Sequence, residues 1–276
     1  MSDMSDTDKH KLSRRAALTV GGTAAGVAGI GLAGYGYTAN AAPPDRPGRP
    51  TTTPSAAPTT GLPDQTCVLT TEMTEGPYYL ESTQRTNITE GKPGAPLTLQ
   101  VTVLNATTCA VLPNAAVEIW HCDQWGYYSG FTSNSPGGQV PAEDDIGDEN
   151  TFLRGYVLSG ANGVATLTSI FPGWYQGRCC HIHVKVHTGG TVGSGGDYQG
   201  GSERHTGQFF FDDEAVAAVY AVAPYNRHVG DWLTLDEDGI YDGGGAASGL
   251  LTLTANDEND PAAGYVATIS VGVTTA

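Results

Sequence analysis

The chain has 276 residues, with 29 acidic against 13 basic side chains and a formal net charge of −16. A surface this acidic repels phosphate backbones, which excludes a nucleic-acid binder, while the length allows one large domain or two small ones. Glycine (38) and proline (16) are frequent and charged residues make up only 15%, a balance that excludes helical bundles and favours strands and turns.

In chain order, residues 9–15 (KHKLSRR) form a basic patch, followed by an almost uncharged Ala/Gly-rich stretch over 16–41. That stretch ends in Ala39-Asn40-Ala41, a small-x-small pattern suited to a signal peptidase. The run is long enough to span a membrane but its many glycines make it weakly apolar, so a cleaved signal is favoured and a retained anchor is the alternative. Ser13-Arg14-Arg15 ahead of such a segment resembles the twin-arginine export signal, which implies a secreted protein with no stable membrane span after cleavage. Removing residues 1–41 takes away four basic and three acidic side chains and moves the net charge from −16 to −17. Residues 42–62 are a Pro/Thr/Ala tract and read as a linker, leaving 63–276 as one domain with its own core.

Five cysteines fall in that domain: Cys67, Cys109, Cys122, Cys179 and Cys180. In an exported chain two bridges and one leftover thiol are expected, with the pairing open. The absence of any C-x-x-C pair argues against a structural zinc site.

Alternation of apolar and polar residues predicts strands at 97–104, 116–121, 164–170, 181–187, 207–211, 250–253 and 265–273. One short helix is expected over 213–222, capped by Asp212 or Asp213 and stopped before Pro224. Segments 188–206 and 236–248 read as long Gly-rich connections, with Asp236-Glu237-Asp238 a solvated loop rather than a calcium site. The expected fold is all-β, an antiparallel sandwich with long loops.

The chemistry concentrates in residues 171–187, FPGWYQGRCCHIHVKVH. His181 and His183 alternate on a β-branched strand, so both imidazoles leave the same face ~7 Å apart at Cα, which suits two ligands of one metal or a plain polar face. Tyr175 precedes that strand, and Tyr127-Tyr128 follow the strand ending in Trp120-His121. Phenolates are hard anionic donors, and two of them beside two imidazoles favour a trivalent ion over Zn(II) or Cu(I). With 13 tyrosines in the chain, composition alone selects neither, and Tyr127 competes with its neighbour Tyr128. His121 reads as structural.

The segment Trp120-His121-Cys122-Asp123-Gln124-Trp125-Gly126-Tyr127-Tyr128-Ser129 resembles the W-H-x-x-x-x-G-x-Y-S stretch of the intradiol ring-cleavage dioxygenases. Phe171-Pro172-Gly173-Trp174-Tyr175 and Arg178-Cys179-Cys180-His181-Ile182-His183 are similar to that family's P-x-x-Y and R-x-x-H-I-H motifs. Glu75-Gly76-Pro77-Tyr78-Tyr79 and Gln208 before Phe209 match further motifs, all in family order from about residue 67 to 215. The resemblance implies a non-haem Fe(III) held by Tyr128, Tyr175, His181 and His183, with Arg178 and Gln208 over the substrate. It also implies catechols and O2 as reactants, cis,cis-muconate-type products and release of Tyr175 when the diol binds. Tyr78, Tyr79 and Trp174 are candidates to line the substrate pocket. The short spacing between Tyr175 and Arg178 resembles the exported, lignin-associated branch, and the helical dimerisation region of the catechol enzymes is not expected; the oligomeric state stays open. Two rival readings are a secreted β-sandwich binding module without catalysis and a zinc or copper enzyme using the His181/His183 pair, although no H-E-x-x-H or G-x-S-x-G motif supports a hydrolase.

Overall fold

The computed structural model describes residues 70–135, 137, 151–242 and 246–275, all in the unit Thr60–Ala276. The signal, the linker and Cys67 lie outside the described residues. Eight strands form two four-stranded sheets. One sheet has the order β4-β1-β8-β7, from β1 (Pro96–Asn105), β4 (Val164–Ile170), β7 (Thr252–Ala255) and β8 (Tyr265–Val273). The other has the order β3-β2-β5-β6, from β2 (Ala116–Trp120), β3 (Arg154–Leu158), β5 (His181–Val192) and β6 (Tyr198–Phe210). Pairing is antiparallel except between β1 and β8, which run parallel from Leu97↔Tyr265 to Asn105↔Val273.

The core is what the alternation demands. Leu97, Leu99, Val101 and Val103 of β1 point into the space between the sheets and meet Val117 and Ile119 of β2 and Ile182, Val184 and Val186 of β5. Each such side chain contributes about 1.5–3 kcal/mol by leaving water. The opposite face of β5, carrying His181, His183 and Lys185, is buried too, because loops cover it. A separate small cluster of Trp120, Cys122, Tyr128 and Tyr175 forms there, with Tyr78, Tyr79 and Phe131 packed against it.

The helix α1 runs over Asp213–Tyr220, and the Asp212 carboxylate accepts from the Ala215 amide at 2.8 Å, as the cap requires. It ends two residues earlier than its sequence suggests. A four-residue α2 (Ala246–Gly249) and three short 3-10 turns complete the regular structure.

Three expectations need correction. Strand β3 has no counterpart among the expected strands. Segment 188–206 is mostly not a connection: β5 and β6 continue as one hairpin out to Val192↔Tyr198, paired through backbone although the side chains there are largely exposed. The cysteines do not form two bridges, since Cys122, Cys179 and Cys180 are free and buried while Cys109 is disulfide-bonded. Burial pushes all three free thiols upward in pKa.

Candidate metal centre

Residues opposite each other in an antiparallel ladder share a face. His183 faces Trp120 on β2 and Gln208 on β6, so the three side chains start from one patch of sheet. The Trp120 indole stacks on the His183 ring, with centroids 5.0 Å apart and planes 6° from parallel. From the other side Gly76 lies against the same ring. Its φ of +77° and the 3.0 Å separation of a hypothetical Cβ from His183 Cε1 both require glycine.

The two tyrosines arrive on loops that touch through main chain. After β2 the chain turns at Asp123, whose carboxylate accepts from the amides of Trp125 (2.9 Å) and Tyr127 (3.0 Å). Gly126, at φ +86°, sits where any Cβ would overlap the Trp174 carbonyl, and the Gly173 amide donates to the Asp123 carbonyl at 3.2 Å. The turn carrying Tyr128 and the turn carrying Tyr175 are thereby locked together. Only Tyr128 reaches the site; the Tyr127 ring packs against Gly137.

Four side chains converge. Tyr128 Oη lies 3.1 Å from His183 Nε2 and 3.3 Å from His181 Nε2, and Tyr175 Oη lies 3.2 Å from His181 Nε2. Metal–N and metal–O bonds of about 2.0–2.1 Å separate neighbouring donors by roughly 2.9–3.3 Å, so these donors fit around one ion. The tautomer fits as well. His181 Nδ1–H donates to the Cys179 carbonyl at 2.7 Å, which leaves the Nε2 lone pair facing the phenols. His183 Nδ1 is buried without a hydrogen-bond partner, and its ring is oriented instead by Trp120 and Gly76.

Electrostatics favour neutral rings and a cation. Burial, with the nearby Arg178 charge, holds His181 well below its ordinary pKa, and burial with His181 does the same for His183. Burial raises Tyr128 and Tyr175 above the ordinary phenol value. A highly charged cation between the four groups would supply the positive charge that burial otherwise denies to phenolates. Among the described residues there is no group of three or more His, Cys, Asp or Glu side chains that could hold an ion.

Around the centre, the Tyr78 ring stacks on Tyr128 at 4.6 Å, and Tyr79 meets Trp120 edge-on while its hydroxyl donates to Glu118 at 3.2 Å. Arg178 brings one guanidinium nitrogen within 3.4 Å of His181 Nε2 and donates with another to Gln208 Oε1. Gln208 in turn donates to the Thr74 carbonyl at 2.9 Å. Trp174 goes elsewhere. It belongs to the main core, packs on His228 with centroids 3.8 Å apart, and lines a surface cleft with Tyr220 and Trp232. His121 is structural, bonded through Nε2 to Ser169 Oγ at 2.6 Å and through Nδ1 to the Cys122 carbonyl at 2.8 Å.

Two residues of the site were not among its candidates. Arg154 on β3 lies beneath Tyr128, donating to the Ser129 carbonyl and hydroxyl at 2.8 Å each. Asp238, expected in a solvated loop, is completely buried and paired with Arg178 at 2.7 Å. The Arg178 charge, sixty residues away in sequence, explains why a carboxylate is tolerated there.

The β-sandwich brings two imidazoles and two phenols to one point, a donor set whose chemistry suits a metal ion. The family model described as Dioxygenase matches residues 74–191, a span containing all four donors. An intradiol ring-cleavage dioxygenase from Tetranychus urticae is similar at 28% identity and TM-score 0.62, covering 75% of this chain and 95% of that one. A second dioxygenase structure is similar at 29% identity and TM-score 0.62, with the same coverage. The dioxygenase domain of a dioxygenase–carbohydrate-binding fusion from Streptomyces sp. SirexAA-E follows at 24% identity and TM-score 0.49, covering 75% and 99%. No curated protein matches the chain. The chain is an intradiol ring-cleaving dioxygenase, an oxidoreductase, as its motifs imply.

Proposed function

We propose that the chain is a secreted non-haem Fe(III) dioxygenase that cleaves the bond between the two hydroxylated carbons of catechol-type diols and incorporates both atoms of O2, one at each carbon, giving cis,cis-muconate-type products. The observation that carries this reading is the convergence of Tyr128, Tyr175, His181 and His183 at donor separations of 3.1–3.3 Å. The chemistry a ferric ion supplies when bound is Lewis acidity and acceptance of electron density from the diol. Tyr128, His181 and His183, all buried, would hold it together with Tyr175. Tyr175, 7% exposed, is the more accessible phenol, and its Oη takes up a proton from the incoming diol. Arg178 offers N–H donors to negative charge developing on the ring, and Gln208 holds Arg178 in place. Tyr78 and Tyr79 provide aromatic walls that exclude water.

The charges around the site support neutral catechols as substrates. Lys185 is already paired with Glu75 at 2.7 Å and with Glu203, so it is not free for a substrate carboxylate, and Asp238 balances the charge of Arg178.

The test is oxygen uptake across a panel of catechols with product identification, on protein purified from an iron-replete host. The expected result is a burgundy protein that yields muconates; Tyr128→Phe and Tyr175→Phe each shift or bleach the colour and Tyr127→Phe does not. A colourless, iron-free, inactive protein overturns the reading in favour of a binding module. Export rests on Arg14-Arg15, and changing both to Lys is expected to leave the precursor inside the cell.

A further inference from the structure

We propose that Asp238 is the positioning residue for Arg178: it aims one guanidinium nitrogen into the metal centre and couples that aim to the orientation of His181. The inference rests on the dioxygenase reading above and extends it to a loop that none of the matched motifs includes.

Three contacts define the guanidinium. Its Nε donates to Asp238 Oδ2 at 2.7 Å, one terminal nitrogen donates to Gln208, and the other lies 3.4 Å from His181 Nε2. A guanidinium is planar and rigid, so pinning two nitrogens determines where the third points. The nitrogen left over is the one that faces the site. Gln208 alone cannot impose this, because a single pivot leaves the plane free to rotate about that contact.

Asp238 itself has no freedom. Its Oδ1 accepts from the amides of Ile240 (2.8 Å) and Tyr241 (3.0 Å), and its Oδ2 accepts from Cys179 (2.8 Å) as well as from Arg178. Every acceptor direction is thus used, and the side chain is fully buried. Burial alone would raise the carboxyl's proton affinity, yet the Cys179 amide and the Arg178 charge hold it below the ordinary carboxylate value. It remains an anion beside the guanidinium.

The bond to Cys179 adds the second half of the inference. The Cys179 amide is fixed by Asp238, and the Cys179 carbonyl fixes His181 Nδ1 at 2.7 Å. One carboxylate therefore determines both the arginine that meets ring charge and the tautomer of a metal-binding histidine. It also cancels the arginine's net charge, which would otherwise oppose a cation held a few ångströms away.

The experiment compares wild type with Asp238→Asn, which keeps the shape and removes the charge. Expected are a kcat lower by about 10–100-fold, a KM for catechol little changed, and near-wild-type iron content and charge-transfer colour. A kcat per bound iron equal to that of wild type overturns the proposal, whether or not iron is lost, because that outcome marks a merely structural residue. Should the variant fail to fold, the Arg178 Nε–H resonance of the wild-type protein decides, assigned by its absence in Arg178→Lys. A slowly exchanging, displaced signal supports the pair, and a rapidly exchanging one at the free-arginine position overturns it. If wild type cleaves no catechol, the dioxygenase reading fails, while the resonance still reports on the Asp238–Arg178 geometry.

Discussion

The two faces of β5 are built from the same six residues and do different work. Ile182, Val184 and Val186 enter the space between the sheets, where shape and apolar area are all that is asked of them. His181, His183 and Lys185 enter an equally dry layer, but each is tied to named partners: a carbonyl, an indole, two carboxylates. The inner face holds the sandwich together, and the outer face holds donor atoms at fixed separations. Dryness serves stability on one side and chemistry on the other.

Substitutions on the two faces separate these roles. His183→Ala removes a donor without touching the inter-sheet core, and it is expected to abolish iron binding, colour and ring cleavage; metal analysis and oxygen uptake check this. Urea unfolding should barely register the same change. Ile182→Ala, one residue away, reverses the pattern. It leaves a cavity in the core and costs about 2–5 kcal/mol of stability by urea titration, while the charge-transfer colour of the folded fraction persists.

A third expectation concerns pH and the layer between the faces. His121 is held down to about 4, chiefly by burial. Its folded pKa is depressed, so between about pH 6.5 and 4 the unfolded chain binds the extra proton. Stability therefore falls as pH drops through this window and levels off below it, by at most ~3 kcal/mol from this group. Urea midpoints measured from pH 7 to 4 should show the slope, and His121→Asn should flatten it. A slope unchanged in that variant assigns the effect to another group, such as His205, which burial also holds at about 4.

Much of this arrangement was legible in the residues themselves. The period of two places β1, β2, β4 and β8 within a residue of where they lie, and the four residues that the dioxygenase resemblance singles out, Tyr128, Tyr175, His181 and His183, lie together. What escaped has a common physical cause. The outer hairpin beyond His187 is held by backbone ladder bonds between exposed Gly, Thr and Gln residues, so it carries no apolar period to read. Strand β3 is five residues long, with four of them buried and no alternation. Asp238 sits in an Asp-Glu-Asp-Gly run that reads as solvated, because two of the groups that pair with its carboxylate, Arg178 and the Cys179 amide, lie about sixty residues away in sequence. Trp174 lies beside Tyr175 in sequence, yet adjacent side chains on this turn diverge, one into the core and the other into the site.

The parallel pairing of β1 with β8 has a consequence for how the chain is made. Strand β8 lies between β1 and β7, so the first long strand of the domain waits for the last before its ladder is complete. A nascent chain lacking residues 265–273 leaves one edge of β1 open, with Leu97 to Val103 unshielded on a bare edge. Closing a loop of this span is entropically slow, so folding is expected to wait for residues 265–273 and to be sensitive to their removal.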